Sequence, residues 1–262
     1  MPELPDVETL ARRLRRRLRG RRIRGVRLLT PSTVRHPDPV TFTRLLPGRR
    51  VLDVDRRGKY LLIRLSGDLT LAVHLRMTGD FEVTAATTPI HPHTRVLFEV
   101  NGFHLRFIDL RRFGHMDLVT PRQLEHLRGV ATLGVEPLGP EFTPARFRQL
   151  VRGHRMGLKV LLLRQDLIAG IGNLYADEIL WQARLHPGRS VDTLSAQQIA
   201  ALYRIIRRVL DRAVRLLPRY GGAVGVFLDA RERGGRCPRD HGTLRVARIA
   251  GRTTYFCPRC QR

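Results

Sequence analysis

Residues 94–110 read TRVLFEVNGFHLRFIDL and decide the fold of the N-terminal half. Two runs of β-branched, aromatic and aliphatic residues flank Asn101-Gly102, and an Asn-Gly pair in that setting is a strong signal for a two-residue β-hairpin. Similar runs occur throughout residues 22–119: RIRGVRLL, RVLDVD, YLLIRL, LTLAVHLRM and HMDLV. Ser66-Gly67-Asp68 predicts another tight turn. We therefore expect a β-sandwich or flattened barrel here.

Outside this region the apolar spacing is helical. A helix predicted over residues 5–19 collects its apolar side chains on one face and arginines on the others. Four more helices are predicted, over residues 144–151, 157–164, 174–185 and 195–217. The sequence thus predicts an α+β multi-domain protein with four segments: an N-terminal β domain (1–120), a Gly- and Pro-rich linker (121–142), a helical domain (143–220), and a connector with a cysteine-bearing tail (221–262).

The charge of the chain points to a polyanionic partner. Lys plus Arg total 48 against 23 Asp plus Glu, a formal charge of +25, so nucleic acid is the first expectation, ahead of a membrane surface or an acidic protein. No apolar run approaches the roughly 20 residues of a membrane span, and the start MPELPDVE predicts no signal peptide. We expect a cytoplasmic, nucleoid-associated protein.

Only two of the basic residues are lysines, Lys59 and Lys159. The arginine guanidinium is planar with donors in a fixed arrangement, whereas the lysine ammonium is a compact point charge, so the two are not interchangeable at every site. One interpretation is that these two lysines remain by chance. The one we favour is that both positions require an ammonium group.

The C-terminal tail predicts a structural zinc site. Cys257 and Cys260 form a CxxC knuckle, and Cys237 supplies a third thiolate on the other side of a predicted hairpin. The fourth ligand is His241 or Asp240, and His241 is expected because imidazole is the better zinc ligand. A closed set of four ligands is typical of structural zinc.

Two further patterns suggest contacts with DNA, although each also has an ordinary structural explanation. Asn173 follows a Gly-Ile-Gly turn at a helix start, where backbone N–H groups could cradle a phosphate, aided by Lys159. The same glycines suit any tight turn. Met77, Arg111 and Phe113 stand near predicted turns, as residues that fill the gap left by an extruded base would, but such side chains more often pack in a core.

The N-terminus offers an amine nucleophile. Met1 is expected to be removed before Pro2, which leaves a secondary amine next to Glu3. An α-amino group has a pKa of about 8, against about 10.4 for lysine, so more of it is neutral and able to attack a sugar aldehyde carbon. A neighbouring carboxylate can move protons. Proline at position 2 alone carries no such meaning.

Six ordered motifs resemble the formamidopyrimidine-DNA glycosylase/endonuclease VIII family. They are PELPDVET (2–9), RRGKY (56–60), HLRMTG (74–79), DLRRFG (109–114), AGIGNLYADE (169–178) and GRTTYFCPRCQ (251–261). The resemblance implies an N-terminal β-sandwich with a helix, a helix–two-turns–helix domain and a β-hairpin zinc finger. It also implies a bifunctional DNA glycosylase with AP-lyase activity, which excises oxidised or ring-opened bases (formamidopyrimidines, 8-oxoguanine) from double-stranded DNA with damaged bases.

Residue roles follow from the matched positions. The Pro2 amine would attack the sugar C1′, Glu3 would be the acid/base, and Lys59 would face the lesion. Phosphates around the flipped nucleotide would be held by His74, Lys159, Asn173 and Arg252. The wedge would be Met77, Arg111 and Phe113, with Arg111 facing the orphaned cytosine. The imine formed by Pro2 acidifies the C2′ hydrogen, so β- and δ-elimination can follow without a metal or cofactor at the reacting carbon.

The sequence departs from the family pattern at three places. Asp6 stands where the family usually has Glu, and CPRD followed by His replaces a CxxC knuckle. Only residues 218–236 separate the long helix from Cys237, where members that excise 8-oxoguanine efficiently have a longer segment. That shortness indicates ring-opened purines or oxidised pyrimidines, whereas the complete wedge indicates purine lesions opposite cytosine.

Two other classes of function compete with this one. A non-catalytic lesion- or DNA-binding protein on the same scaffold would explain the charge, the zinc finger and the wedge, but it would need neither Pro2, Glu3 nor Lys59. A basic RNA-binding zinc-ribbon protein would explain the charge and the cysteines but not the N-terminus. The sequence leaves open the preferred lesion, the opposite base and the oligomeric state, with a monomer as the default.

Overall fold

A computed structural model describes residues 1–262, which divide into two compact units. The first unit comprises Met1–Pro2 and Val7–Ala131, and the second comprises Glu3–Asp6 and Thr132–Arg262. The α-helices are α1 (Leu4–Leu18), α2 (Pro39–Leu45), α3 (Pro121–His126), α4 (Pro144–Arg152), α5 (Leu158–Leu163), α6 (Asn173–Ala183) and α7 (Ala196–Tyr220). The β-strands are β1 (Ile23–Leu28), β2 (Val34–His36), β3 (Val51–Arg57), β4 (Tyr60–Leu65), β5 (Leu69–His74), β6 (Gly79–Thr84), β7 (Thr94–Val100), β8 (Phe103–Asp109), β9 (His115–Val119), β10 (Arg245–Ile249) and β11 (Arg252–Phe256).

The first unit is the predicted β-sandwich. Four strands form one sheet in the order β1-β7-β8-β6, and five form the other in the order β2-β9-β5-β4-β3. Side chains alternate between the faces of each strand, so each sheet can turn one apolar face inward. Phe81 and Phe98 of the first sheet and Ile63 and Val73 of the second are buried in one common core.

Both predicted tight turns are present. In the β7–β8 hairpin, Val100 pairs with Phe103 across Asn101-Gly102, and Gly102 has φ +84°. In the β4–β5 hairpin, Leu65 pairs with Leu69 across Ser66-Gly67-Asp68. These turns could be predicted because their residue types fix the local backbone conformation.

The N-terminal helix also forms as predicted, with its apolar face in the core of the sandwich. The buried residues of this face are Val7, Leu10, Ala11, Leu14 and Leu18. The prediction of a single helix in this half was incomplete, since α2 also forms. Asp38 caps α2 by accepting the backbone N–H groups of Val40 and Thr41, and Pro39 occupies its first turn. Both are ordinary helix-start signals.

The second unit is built from α4–α7 and the β10–β11 hairpin. Its core collects Phe147, Leu161, Ile179 and Ile206, one from each of the four helices. Helix α7 opens with the predicted capping box, in which the Ser195 and Gln198 side chains each accept the other's backbone N–H. It runs beyond the predicted end to Tyr220 and stops at Gly221, whose φ of +69° is the left-handed conformation typical of helix C-termini. No helix has the length and apolar composition of a membrane span.

Candidate functional site

The Glu3 carboxylate caps the N-terminus of α6. Glu3 is only 1% exposed, and its oxygens accept the backbone N–H groups of Gly172 (2.8 Å), Leu174 (2.8 Å) and Tyr175 (3.2 Å). A carboxylate is stabilised at a helix N-terminus because unpaired N–H groups and the helix dipole converge there. A Cβ at position 172 would lie 2.3 Å from the Glu3 carboxyl carbon, so glycine is required for this approach.

The Gly-Ile-Gly turn was predicted to cradle a phosphate, and this geometry corrects that prediction. Three of the N–H groups at the start of α6 already donate to Glu3. The cradle therefore holds an internal carboxylate instead of an external anion. The glycines serve the position of Glu3, which no local pattern in residues 169–178 could reveal.

The residues around Glu3 fix the start of the chain. Asp6 Oδ2 accepts the backbone N–H of Glu3 at 2.8 Å, the bond that a side chain in the first helical turn makes back to its N-cap residue. Aspartate in place of the usual Glu is long enough for this bond. Pro2 is half-buried and Met1 is exposed.

Lys159 is completely buried, and its ammonium group binds acceptors within the second unit. Its side chain is 0% exposed, and Nζ donates to Asp177 Oδ1 (2.6 Å), Thr254 Oγ1 (2.7 Å) and the carbonyl of Thr253 (3.4 Å). An ammonium group has three protons, so no donor remains for an external anion. Burial lowers the pKa of Lys159 and raises that of Asp177, while their mutual attraction opposes both shifts.

Asn173 contacts β11, the strand of the hairpin that begins at Arg252. The carbonyl of Thr253 accepts the Asn173 side-chain amide at 3.0 Å and the Arg231 guanidinium at 3.2 Å, in addition to Lys159. Arg252, the first residue of β11, is exposed beside this carbonyl. The structure thus brings Asn173 and Arg252 together in the second unit.

In the first unit, Lys59 and His74 lie at one end of the five-stranded sheet. Lys59 occupies the β3–β4 turn, and the next residue, Tyr60, pairs with His74 on β5. His74 in turn pairs with His115 on β9, and their rings stack with centroids 5.5 Å apart.

His74 is a neutral hydrogen-bond donor. Burial, with help from the nearby charges of Arg76 and Lys59, lowers the pKa of His74 to about 3, and burial lowers that of His115 to about 4. His74 Nδ1 accepts the backbone N–H of Arg76 at 3.0 Å. The ring proton therefore resides on Nε2, where it can be donated to a phosphate oxygen.

The three predicted wedge residues stand on two loops of the first unit and are exposed. Met77 is 37% exposed on the loop between β5 and β6, and Phe113 is 53% exposed on the loop between β8 and β9. The Arg111 guanidinium lies over the Phe113 ring, 4.8 Å from its centroid. Leu110, which sequence reasoning passed over, is 57% exposed beside them. These side chains are therefore not packed in a core, which was the alternative explanation for them.

The three cysteines converge on one potential metal site together with Asp240. One ligand atom from each of Cys237, Asp240, Cys257 and Cys260 lies within 4.8 Å of the others. The Sγ atoms of Cys237 and Cys260 are 3.6 Å apart, close to the roughly 3.8 Å expected for two sulfurs bound to one tetrahedral zinc at about 2.3 Å. These donors fit zinc better than magnesium or calcium, which prefer oxygen alone.

Trp181 supports this cluster from outside. Its Nε1–H donates to Cys237 Sγ at 3.3 Å, the kind of contact that orients a metal ligand. Burial raises the pKa of Cys237, but this hydrogen bond and those from the backbone N–H groups of Arg239 and Asp240 outweigh it, so the net pKa is lowered.

His241, the expected fourth ligand, lies outside the cluster. Its side chain is exposed, its φ is +56°, and its backbone N–H donates to the Cys237 carbonyl at 2.9 Å. Asp240 points inward, with Oδ2 3.2 Å from Cys257 Sγ. The prediction rested on ligand chemistry alone, whereas the path of this turn determines which side chain faces the thiols.

Sequence reasoning missed two acidic residues on α6, both fully buried. Asp177 Oδ2 accepts Arg231 Nε at 2.7 Å. The Glu178 carboxylate accepts the backbone N–H groups of Val226 (3.2 Å) and Phe227 (2.8 Å). The connector, residues 221–236, is thereby fastened along α6. An Asp-Glu pair in an otherwise apolar helix was the available signal.

Two family models match the chain. One, described as the formamidopyrimidine-DNA glycosylase N-terminal domain, matches residues 1–116, and the other, described as the formamidopyrimidine-DNA glycosylase H2TH domain, matches residues 133–219. The chain belongs to the formamidopyrimidine-DNA glycosylase family. The resemblance inferred from six sequence motifs is thus confirmed, as is the implied architecture of β-sandwich, helical domain and C-terminal hairpin with its cysteine cluster.

Individual members of the family are similar to this chain over its full length. The formamidopyrimidine-DNA glycosylase of Pelotomaculum thermopropionicum is 41% identical, and the match covers 100% of this chain and 99% of the relative. Two solved structures of the Lactococcus lactis glycosylase are 31% identical in sequence to this chain and match it with a TM-score of 0.90. In each case the match covers 99% of this chain and 99% of the solved chain. One is a complex with DNA containing Fapy-dG, and the other is a complex with DNA containing an oxidised pyrimidine.

Proposed function

We propose that the protein is a bifunctional DNA glycosylase and AP lyase of base excision repair, which removes oxidised or ring-opened bases from double-stranded DNA at the nucleoid. The observation that carries the proposal is the Pro2-Glu3 pair, whose carboxylate is held by three N–H groups of α6. A protein that only binds DNA needs neither residue. The charge of +25 suits the polyanionic substrate.

The chemistry begins once Met1 has been removed. The Pro2 amine attacks C1′ of the damaged nucleotide, the N-glycosidic bond breaks, and the base departs with a proton. The C1′–O4′ bond then breaks and O4′ takes a proton, which leaves an iminium ion that joins Pro2 to C1′ and acidifies the C2′ hydrogens. Loss of one C2′ proton expels the 3′ phosphate, and a second elimination expels the 5′ phosphate. Glu3 moves protons in these steps.

The other predicted residues would hold the DNA. Lys59 faces the lesion and its phosphate, while His74, Asn173 and Arg252 donate to neighbouring phosphates. The stacked Arg111 and Phe113, with Met77, fill the gap left by the flipped nucleotide.

The short connector favours lesions that need no covering segment. Glu178 and Asp177 fasten residues 221–236 to α6, so little chain is free to fold over a base. The Lactococcus lactis relative has been crystallised with both a ring-opened purine and an oxidised pyrimidine. We rank formamidopyrimidines first for this chain, with oxidised pyrimidines as the alternative preference.

Borohydride trapping tests the proposal. Purified protein is mixed with duplexes that carry 8-oxoguanine, ring-opened guanine, an oxidised pyrimidine or an abasic site, each opposite cytosine or adenine. A covalent adduct that disappears when the Pro2 amine is blocked supports the iminium mechanism, and the order of the duplexes gives the lesion class. If no duplex yields an adduct, the protein is a DNA-binding scaffold without the reaction.

We also propose that Lys159 positions Arg252 instead of binding a phosphate. Lys159 donates to the Thr254 hydroxyl, which itself donates to the Arg252 carbonyl at 3.1 Å. This chain of contacts holds the start of β11, where Arg252 is exposed. It also explains why lysine persists at position 159, because three acceptors around one compact ammonium leave no room for a planar guanidinium.

A double-mutant cycle separates positioning from direct contact. Thr254→Val removes the hydroxyl that Lys159 binds, and we expect it to weaken binding to a tetrahydrofuran-containing duplex about 5- to 10-fold. In an Arg252→Ala background the same substitution should cost less than about twofold, because the residue being positioned is gone. Lys159→Met is the second variant, with bound zinc as the check on folding. Losses that add, with the salt slope reduced by about one for Lys159→Met in both backgrounds, would support a direct phosphate contact instead.

We propose that the cluster holds one structural zinc ion through Cys237, Asp240, Cys257 and Cys260. A bound ion would link the two ends of a hairpin whose own core is small, and its binding energy would stabilise that fold. All four ligands come from the protein, which fits a structural site.

Zinc retention distinguishes Asp240 from His241. Each alanine variant is titrated with a chelator while released zinc is measured with a colorimetric dye. Asp240→Ala should lose zinc at a chelator concentration about 10-fold or more below wild type, since removing a ligand opens the site. His241→Ala is the matched control and should follow wild type. The reverse order would restore His241 as the ligand.

A further inference from the structure

Asp109 is a buried carboxylate to which the sequence assigned no role. It is the last residue of β8 and is 0% exposed. Its Oδ1 accepts the hydroxyl of Thr78 and the backbone N–H of Arg111 (3.2 Å), and its Oδ2 accepts the backbone N–H of Gly114 (2.7 Å). A buried carboxylate is tolerated when donors surround it in this way.

These donors come from the two loops that carry the wedge. Thr78 follows Met77 on the loop between β5 and β6, whereas Arg111 and Gly114 belong to the loop between β8 and β9. The loops are also joined directly, because the Arg111 backbone N–H donates to the Thr78 hydroxyl at 3.0 Å. Asp109 and Thr78 therefore form one hydrogen-bonded bridge between the loops.

Two buried side chains, Arg95 and Phe107, lie next to the bridge. Arg95, itself buried, donates its Nε to the Asp109 carbonyl at 2.8 Å. Phe107 fills the space beneath both loops, since a Cβ at Gly114 would lie 2.6 Å from its Cζ and one at Gly79 would lie 3.0 Å from it. Phe107 therefore packs closely against Gly79 and Gly114, which lie at the ends of the two loops that the bridge joins.

We propose that Asp109, acting with Thr78, is a positioning residue that sets the spacing of Met77 and Arg111 and so determines the preference for the base opposite the lesion. This inference rests on the proposed function, because the spacing matters only when a nucleotide is extruded. An arginine reads a base edge through hydrogen bonds of fixed geometry. A displaced Arg111 backbone would keep its charge but lose that geometry.

Single-stranded DNA provides the test, because it has no opposite base. Asp109→Asn keeps the shape of the side chain but replaces one of its two acceptor oxygens with an NH₂ group, which cannot accept from the Thr78 hydroxyl or from a backbone N–H. Single-turnover cleavage of a lesion opposite cytosine should fall at least tenfold, and the ratio of rates opposite cytosine and adenine should fall toward one. Borohydride trapping on a single-stranded abasic oligonucleotide should stay within about twofold of wild type.

The Thr78 variants keep the test valid if Asp109→Asn fails to fold. Thr78→Ala should behave like Asp109→Asn, and Thr78→Ser, which retains the hydroxyl, should restore the cytosine preference. Equal losses on single- and double-stranded DNA would show a general structural role and overturn the proposal. An unchanged cytosine-to-adenine ratio would also overturn it.

A binding readout separates this proposal from the proposed function. Failure of the wild-type protein to trap any DNA refutes the lyase, but insertion of the wedge can still be followed without chemistry. The probe is a tetrahydrofuran duplex with the fluorescent base 2-aminopurine opposite the site, whose emission changes on unstacking. Thr78→Ala, but not Thr78→Ser, should reduce that change at saturating protein, and equal responses of the two variants would contradict the bridge.

Discussion

Pro2→Gly should lose at least about 100-fold in single-turnover cleavage of lesion-containing DNA while its affinity for a tetrahydrofuran duplex stays within about twofold of wild type. Glycine still presents an N-terminal amine after Met1 is removed. That amine is primary and sits on a flexible residue, so the orientation that makes an intramolecular attack fast is lost. Gel-based cleavage measures the rate, fluorescence anisotropy measures the affinity, and borohydride trapping measures the covalent adduct.

Pro5 provides the matched control for this substitution. It lies in the first turn of α1, is buried, and has no part in the reaction. Pro5→Ala should retain full cleavage, with a change in the free energy of unfolding of about 1 kcal/mol or less. Mass spectrometry confirms that Met1 has been removed from each protein. Full cleavage by Pro2→Gly would remove the nucleophile assignment.

Glu3→Gln should reduce cleavage by about 100- to 10,000-fold, the usual contribution of a general acid or base. It should also reduce the free energy of unfolding by about 1–3 kcal/mol, because the amide NH₂ would face backbone N–H groups of α6 and leave at least one unpaired. Cleavage is therefore measured under single-turnover conditions at a temperature where circular dichroism shows the variant to be folded. DNA binding should be retained.

Glu8→Gln makes the same chemical change within α1, which begins directly after Glu3. Glu8 pairs with Arg12 and Arg56 in the first unit. This variant should cleave like wild type. If Glu3→Gln lost stability but cleaved normally once folded, Glu3 would be a helix cap alone, and another group would have to move the protons.

The features that the sequence could predict are those with local causes. The hairpin at Asn101-Gly102 and the capping box at Ser195 depend on residues within a few positions of each other, and both are present. Helix α2 had an equally local signal in Asp38-Pro39. It was missed because the surrounding β-strands suggested that the whole region has the two-residue apolar period of strands.

The features that could not be predicted depend on distant partners. Glu3 meets Gly172 across 169 positions, so nothing near the Gly-Ile-Gly turn shows that its N–H groups are already occupied. The internal acceptors of Lys159 could not be predicted either, because they lie on Asp177 and on a hairpin almost 100 residues away. For His241, the backbone path of a five-residue turn outweighed the preference of zinc for imidazole.

Trp181 gives this protein an internal optical probe. It is the sole tryptophan, its indole N–H donates to the sulfur of Cys237, and its ring packs against the Arg239 guanidinium and stacks with Phe227. Thiol and thiolate sulfur quench indole emission to different extents. Tryptophan emission, excited selectively, should therefore follow metal loading and the integrity of the hairpin in real time, with no label attached and with no tryptophan in the β-sandwich.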